Sequence, residues 1–243
     1  MGRMFDAAQL TRGPLSRPEN SAPPRFVLAE LAGRLVELSG DGASATLTLA
    51  LGLVLDAQRE GEPVAWISAD ASTFYPPDAA MGGVDLNALV VVRVSASKLV
   101  RSEPAGSTSS PSSPSSPSSP SSPRAKREAG PGLSLLATAA ERLLRSGAFG
   151  LVVLDLGKDA SLSQPLQSRL LGLAQHHHAA VLCLTQKPEQ APSLGSLVSL
   201  RAQATRSWLG QDRFMCELSV KKDKRRGPVW SEREVYRGPL GLR

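Results

Sequence analysis

The spacing of apolar residues changes several times along the 243-residue chain. Leu35 to Leu38 is a short apolar run, and about Ala45 to Gln58 is an apolar stretch long enough for a helix. Gly40 and Gly42 lie between them, so the pattern predicts a buried strand, a tight turn and a helix. Glu62-Pro63 breaks the chain before a second buried strand, Val64 to Ser68. Pro76-Pro77 reads as a stop, with a short helix at Asp78 to Met81 and a third strand at Leu89 to Val94. Leu133 to Leu144 is strongly amphipathic and closes at Ser146-Gly147. Leu151 to Leu154 is a fully apolar strand ending in Asp155, and Gln164 to about His176 is a helix leading to strand Ala180 to Leu184. Val198 to Gln203 and Phe214 to Lys221 read as strands, the second alternating apolar and polar. Strands alternating with helices, then a β-rich end, predict an α/β fold. Its sheet is mostly parallel with helices on both faces, and antiparallel strands are added at one edge near the C-terminus.

Two stretches fall outside this periodicity. Residues 1–25 hold Pro14, Pro18, Pro23 and Pro24 and read as an irregular tail, with a helical turn near Phe5 to Leu10 and a short helix starting at Arg25. Residues 104–131 contain a serine–proline tract from Ser109 to Pro123, which cannot bury enough apolar surface to order itself. It lies between a strand and the helix leading to the next strand. One core domain, 26–240, with a disordered insertion is therefore expected. Long surface insertions are tolerated because closure entropy grows slowly with length.

Composition narrows the setting. Aromatic residues are 4% of the chain, so Leu, Val and Ala must build most of the core. No run of about 18 uncharged apolar residues exists, so no membrane span is expected. The N-terminus lacks the apolar segment of a secretory signal. Cys183 and Cys216 make no disulfide framework, which suits a reducing cytoplasm. Net charge is +6, and from Arg213 onward nine Lys or Arg stand against four Asp or Glu. Basicity is thus a property of one segment.

The candidate chemistry centres on the first turn. A strand, a tight loop and a helix N-terminus aim backbone N–H groups at one spot, as phosphate-binding loops do. Such a loop also needs the lysine and hydroxyl of G-x-x-x-x-G-K-[ST]. Counting from Gly40, Ala45 stands for the second glycine, Thr46 for the lysine and Leu47 for the magnesium-binding hydroxyl. Gly40, Asp41, Gly42, Ala45, Thr46 and Leu47 therefore read as a degenerate nucleotide loop. Each missing charge-assisted bond is worth about 1.5–3 kcal/mol. The helix dipole returns only about 0.3–1 kcal/mol. A structural turn without bound ATP or magnesium is the expectation. Asp70 falls just past the second strand, where open α/β sheets place functional groups.

The order of these motifs resembles the RecA recombinase core. GRLVELSG with its apolar helix is similar to the RecA phosphate-loop unit, and VAWISAD to the next strand, with Asp70 at the position of a catalytic glutamate. The GVDLNALVV stretch continues the likeness. LLRSGAFGLVVLDL resembles the helix and Walker B strand, which places Asp155 at a metal-ligand position, and AAVLCLTQ places Gln186 at that of a nucleotide-sensing glutamine. VKKDKRRGPVWSEREV resembles the segment whose two lysines reach a neighbouring subunit's ATP, here Lys222 and Lys224. The resemblance runs from about 26 to 238. It lacks RecA's N-terminal docking helix and strand and its C-terminal domain, and the two DNA-binding loops look short.

A core trimmed in this way resembles the ImuA family of SOS mutagenesis accessory proteins. That resemblance implies an ImuB-like Y-family polymerase homologue as partner, with an error-prone DNA polymerase and RecA itself as further partners. It implies a non-catalytic adaptor in translesion synthesis; a DNA-dependent ATPase with a rebuilt site is the alternative.

The remaining candidates carry bland readings beside sharp ones. Asp70, Asp155 and Gln186 face one crevice and read as hydrogen-bonding residues that fix loop ends. Asp70 is shorter than the glutamate by one C–C bond, about 1.5 Å. His176, His177 and His178 follow one another on a helix end, about 100° apart, and so do not converge on a metal. Lys221, Lys222, Lys224, Arg225 and Arg226 form the densest positive cluster. Three readings stay open for it: contact with DNA phosphates, contact with an acidic patch of a partner, or a solvated strand end.

Overall fold

The computed structural model describes residues 25–42, 44–69, 74–95, 131–158, 160–227 and 230–237. The tail 1–24, Asp70 and nearly all of the Ser/Pro-rich insertion expected at 104–131 lie outside these residues. The first strand, β1 (Leu35–Gly40), is buried at all six positions. That requires neighbours on both sides and both faces, and it has them. β5 (Ala180–Gln186) and β6 (Leu200–Gly210) both pair with it in parallel. β2 (Val64–Ala69), β3 (Leu89–Val94) and β4 (Leu151–Lys158) extend the parallel sheet beyond β5. β7 (Arg213–Asp223) and β8 (Ser231–Arg237) add antiparallel strands beyond β6. The order is β3-β2-β4-β5-β1-β6-β7-β8, so β3 and β8 are the edges.

Successive strand residues point to opposite faces, and the core divides accordingly. Val36, Leu38, Trp66, Val153 and Leu182 face α1 (Leu28–Leu31), α2 (Thr46–Arg59) and α3 (Pro76–Met81). Leu35, Ile67, Leu154, Val181 and Cys183 face α4 (Pro131–Arg145) and α5 (Gln164–His176). Helix α2 shows why this works: it buries Ala50, Leu53, Val54 and Ala57, a stripe at helical spacing. Gly61, with φ 78°, then turns the chain into β2.

Several expected boundaries move. Pro76 and Pro77 open α3 instead of stopping a helix, because proline's missing N–H costs nothing in the first helical turn. Helix α1 starts at Leu28 and has four residues. Helix α4 begins at Pro131, inside the stretch expected to be insertion. Strand β4 runs on to Lys158, so Asp155 sits within the strand instead of at its end, beside a register shift between Asp155 and Gly157. Strand β8 has no counterpart in the expected elements. Its mostly exposed SEREVYR pattern carries no apolar run, and pairing with β7 from Arg213↔Arg237 to Ser219↔Ser231 is what orders it.

A buried ion pair joins the start of β1 to the end of β7 across β6. Arg34, just before β1, donates to Asp223 Oδ1 at 2.6 Å and to the Ser199 hydroxyl and carbonyl at 3.0 and 3.1 Å. Burial lowers the Arg34 pKa. Burial raises that of Asp223, but hydrogen bonds from the Arg225 backbone, Arg34 and Trp230 outweigh it and leave the carboxyl below its usual range.

Candidate functional site

The turn after β1 is closed by its own side chains. Gly42 takes a left-handed conformation, φ 57°, and the Ser44 and Thr46 hydroxyls share a hydrogen bond of 2.7 Å. Both hydroxyls press onto Gly40: a Cβ there would lie 2.1 Å from Ser44 Oγ and 2.3 Å from Thr46 Oγ1. Gly40 is therefore required by a close approach, and the approaching atoms are the chain's own hydroxyls. The Thr46 backbone N–H points to Ser44 Oγ at 3.4 Å.

A small cleft of about 210 Å³ opens beside this turn. Its walls bring together Gly40, Gly42, Thr46 and Leu47 from the predicted loop with the predicted Asp155 and Gln186. Ala45 is buried behind it, and Asp41 is exposed at the turn. No Lys or Arg lines the cleft among the described residues, whereas Asp155 does.

Lys187, the residue after β5, is engaged by its neighbours. Lys187 gives its backbone N–H to the Gly40 carbonyl at 2.9 Å, while its Nζ pairs with Glu37 and donates to the Pro192 carbonyl at 2.6 Å. Glu37 is fully buried in β1. It also accepts from the Ser193 hydroxyl at 2.8 Å, the Leu194 backbone N–H at 2.9 Å and the Thr185 hydroxyl at 3.4 Å. The segment after β5 is thereby tied under the sheet. Sequence reasoning passed over Glu37, although one acid inside the apolar run LVELSG was the available signal.

The basic cluster does not reach the cleft. Lys221 pairs with Glu189 at 2.5 Å, and Lys224 Nζ donates to the Ser196 carbonyl at 2.6 Å. Arg225 donates to the Ala32 carbonyl at 2.8 Å, and Arg226 pairs with Glu30. Lys222, on β7 opposite Arg201, is partly buried; burial first, then the charge of Lys224, lowers its pKa. These side chains mainly fasten the end of β7 to the α1 segment and to the loop before β6. His176 ends α5, His177 caps it and His178 has φ 54°. Among the described residues no group of three His, Cys, Asp or Glu is placed to hold a metal. Nor is any described helix long and apolar enough to cross a membrane.

No protein-family model and no curated protein matches the chain. A solved structure does: that of the flagellar accessory protein FlaH from Methanocaldococcus jannaschii, 11% identical, with a TM-score of 0.51 over 85% of each chain. Together with the parallel sheet, its antiparallel extension and the turn between β1 and α2, this likeness gives the chain a RecA-like fold.

Proposed function

We propose that this chain is a non-catalytic RecA-like adaptor of the ImuA type, acting in DNA-damage-induced mutagenesis and translesion synthesis. The observation that carries this reading is the self-filled phosphate turn. Ser44 and Thr46 pack onto Gly40, Leu47 borders the cleft, and Thr46 stands where the phosphate lysine would be. A RecA-like core with its sheet intact and its phosphate chemistry gone is suited to holding partners. Its partner is an ImuB-like polymerase homologue, with an error-prone polymerase and RecA engaged in the same assembly.

The edge strand β3 supports a docking mode. Among the described residues it is paired on one side only, with β2, and it exposes Val90 and Val91. Such an edge accepts an added strand through backbone hydrogen bonds. Size-exclusion chromatography of the chain with an ImuB-like partner tests the reading: a stable complex is expected, lost in Val90→Lys/Val91→Lys. Absence of any complex with the parent chain sinks the adaptor proposal. Turnover of labelled ATP with single-stranded DNA, abolished by Asp155→Ala, would instead favour an ATPase. A role for Lys221 to Arg226 in binding DNA has less to stand on, since most of those side chains are engaged within the fold.

A further inference from the structure

A second and larger opening, about 540 Å³, lies on the α2 face of the sheet. It is a trough walled by Leu51 and Leu55 of α2, by Tyr75 and Met81 at α3, and by Phe214 and Tyr236 of the antiparallel strands. Its sheet side is an aromatic wall built by register. Trp208 of β6 lies opposite Phe214 of β7, which lies opposite Tyr236 of β8. Residues paired in this way share a face, so three rings stand side by side on three adjacent strands. A two-residue turn holds the first two in place. Gln211 and Asp212 are both left-handed, at φ 51° and 58°, as the tight turn of a twisted hairpin requires. Among the described residues Tyr75, Met81 and Trp208 are 60%, 62% and 69% exposed. Large apolar surface of this kind marks an interaction site.

The charges around the wall are mostly arginines without partners. Arg206 and Arg237 line the trough, and Arg213 lies opposite Arg237. Among the described residues none of the three forms a salt bridge, whereas Lys221, Arg226 and Arg233 each do. Like charges directly opposite one another in a sheet repel, a strain that an added anion between Arg213 and Arg237 relieves. Arg206 holds its guanidinium 4.9 Å from the centre of the Phe214 ring. That contact limits its freedom and leaves its N–H edges for a carboxylate. The acids nearby do not serve: Asp78 is the one carboxylate in the lining, and Glu234 accepts from the Tyr236 hydroxyl at 2.7 Å.

Rings and arginines suit either a nucleic acid or a protein, and the composition decides between them. A nucleic-acid strand binds by neutralising many phosphates, and three arginines beside Asp78 and Glu234 supply little of that. Aromatic, Met and Arg residues gather at the centres of protein interfaces, where Lys is depleted, and no Lys lines the trough.

We propose that the trough docks an acidic, apolar-anchored segment of another protein. A Phe- or Leu-sized side chain seats between Met81 and the aromatic wall, and flanking carboxylates take Arg206 and Arg237. The proposal rests on the adaptor reading and deepens it, adding a side-chain docking site on the α2 face to the backbone docking at the β3 edge.

The test titrates the full chain into a fluorescein-labelled peptide with Phe and Leu set among Asp and Glu, and follows anisotropy. Saturable binding is expected, and the counterpart with Lys for Asp and Glu should bind at least tenfold more weakly. Arg206→Glu and Arg237→Glu should each weaken the acidic peptide about tenfold, and Trp208→Ser by at least as much, with melting unchanged. Arg169→Glu, on α5 across the sheet, makes the same change in net charge and should leave binding within about twofold. Absence of saturable binding overturns the proposal. Equal losses in Arg169→Glu and Arg206→Glu reduce the effect to net charge and overturn it too. Tighter binding of a thymidine oligonucleotide, lost in Trp208→Ser, would give the wall to nucleic acid and do the same. No ImuB-like partner is present, and Val90→Lys/Val91→Lys should bind the peptide as the parent does. Failure of this site and failure of the adaptor reading are therefore read separately.

Discussion

Two clefts meet at the start of α2, sharing Ser44 and Leu47, and they have opposite characters. The one beside Gly40 is small, with two hydroxyls packed on its glycine and the segment behind it tied down through Glu37 and Lys187. The one along α2 is larger and carries four aromatic residues in its lining, Phe74, Tyr75, Phe214 and Tyr236. The sequence motif pointed at the first, where the ancestral chemistry would sit. The uncovered surface is at the second. A fold can keep the outline of a nucleotide site while its binding capacity lies on the neighbouring surface.

The largest effect should come from loosening the segment that Glu37 and Lys187 tie down. Lys187→Met leaves Glu37 buried without its cation, a change that typically costs about 3–5 kcal/mol. At roughly 2–4 °C per kcal/mol for a chain of this size, the melting temperature should fall by about 10 °C. Glu37→Gln, which removes the charge and keeps acceptors for Ser193 and Leu194, should cost clearly less. Equal losses in calorimetry would show that the ion pair does not hold that side together.

Next in size is reversal of the erosion. Thr46→Lys/Leu47→Ser restores the two missing groups and removes one hydroxyl packed on Gly40. A single charge-assisted bond of about 1.5 kcal/mol is worth about tenfold in affinity, so Mg-ATP should bind at least tenfold tighter than to the parent. No gain in titration calorimetry would mean that Ser44 and Ala45 also keep the turn shut.

The fold was legible because β1, β2, β4 and β5 are largely apolar runs buried on both faces, a pattern that the local sequence shows. The edges were not. Strand β8 has polar residues on most positions and exists through its pairing with β7, a partner that local pattern cannot reveal. The eroded turn could be read by counting from Gly40, and Asp155 and Gln186 do join it. The engagement of Lys221 to Arg226 could not, because their partners Glu30, Ala32, Glu189 and Ser196 lie elsewhere in the sequence. The trough escaped for the same reason, its aromatics coming from α3, β7 and β8.

Smaller effects are expected around the larger cleft. Met81→Ser and Trp208→Ser remove exposed apolar surface with little packing. Each should leave stability within about 0.5 kcal/mol in urea titrations. A loss above about 2 kcal/mol in either would mean that these residues are covered in the folded protein.

The finest probe of the comparison is the Tyr236 phenol, which lines the trough and donates to Glu234 Oε2 at 2.7 Å. Burial first, then the hydrogen bond and charge of Glu234, push its pKa above the ordinary tyrosine range. A raised pKa means that the folded state holds the proton more tightly. The resulting stability is fully present below the unfolded value, near 10, and is lost as pH rises past it. In an ultraviolet pH titration Tyr236→Phe should remove the transition at highest pH, and Glu234→Gln should move it downward. A transition unmoved by Glu234→Gln would show that burial beside the aromatic wall alone sets the shift.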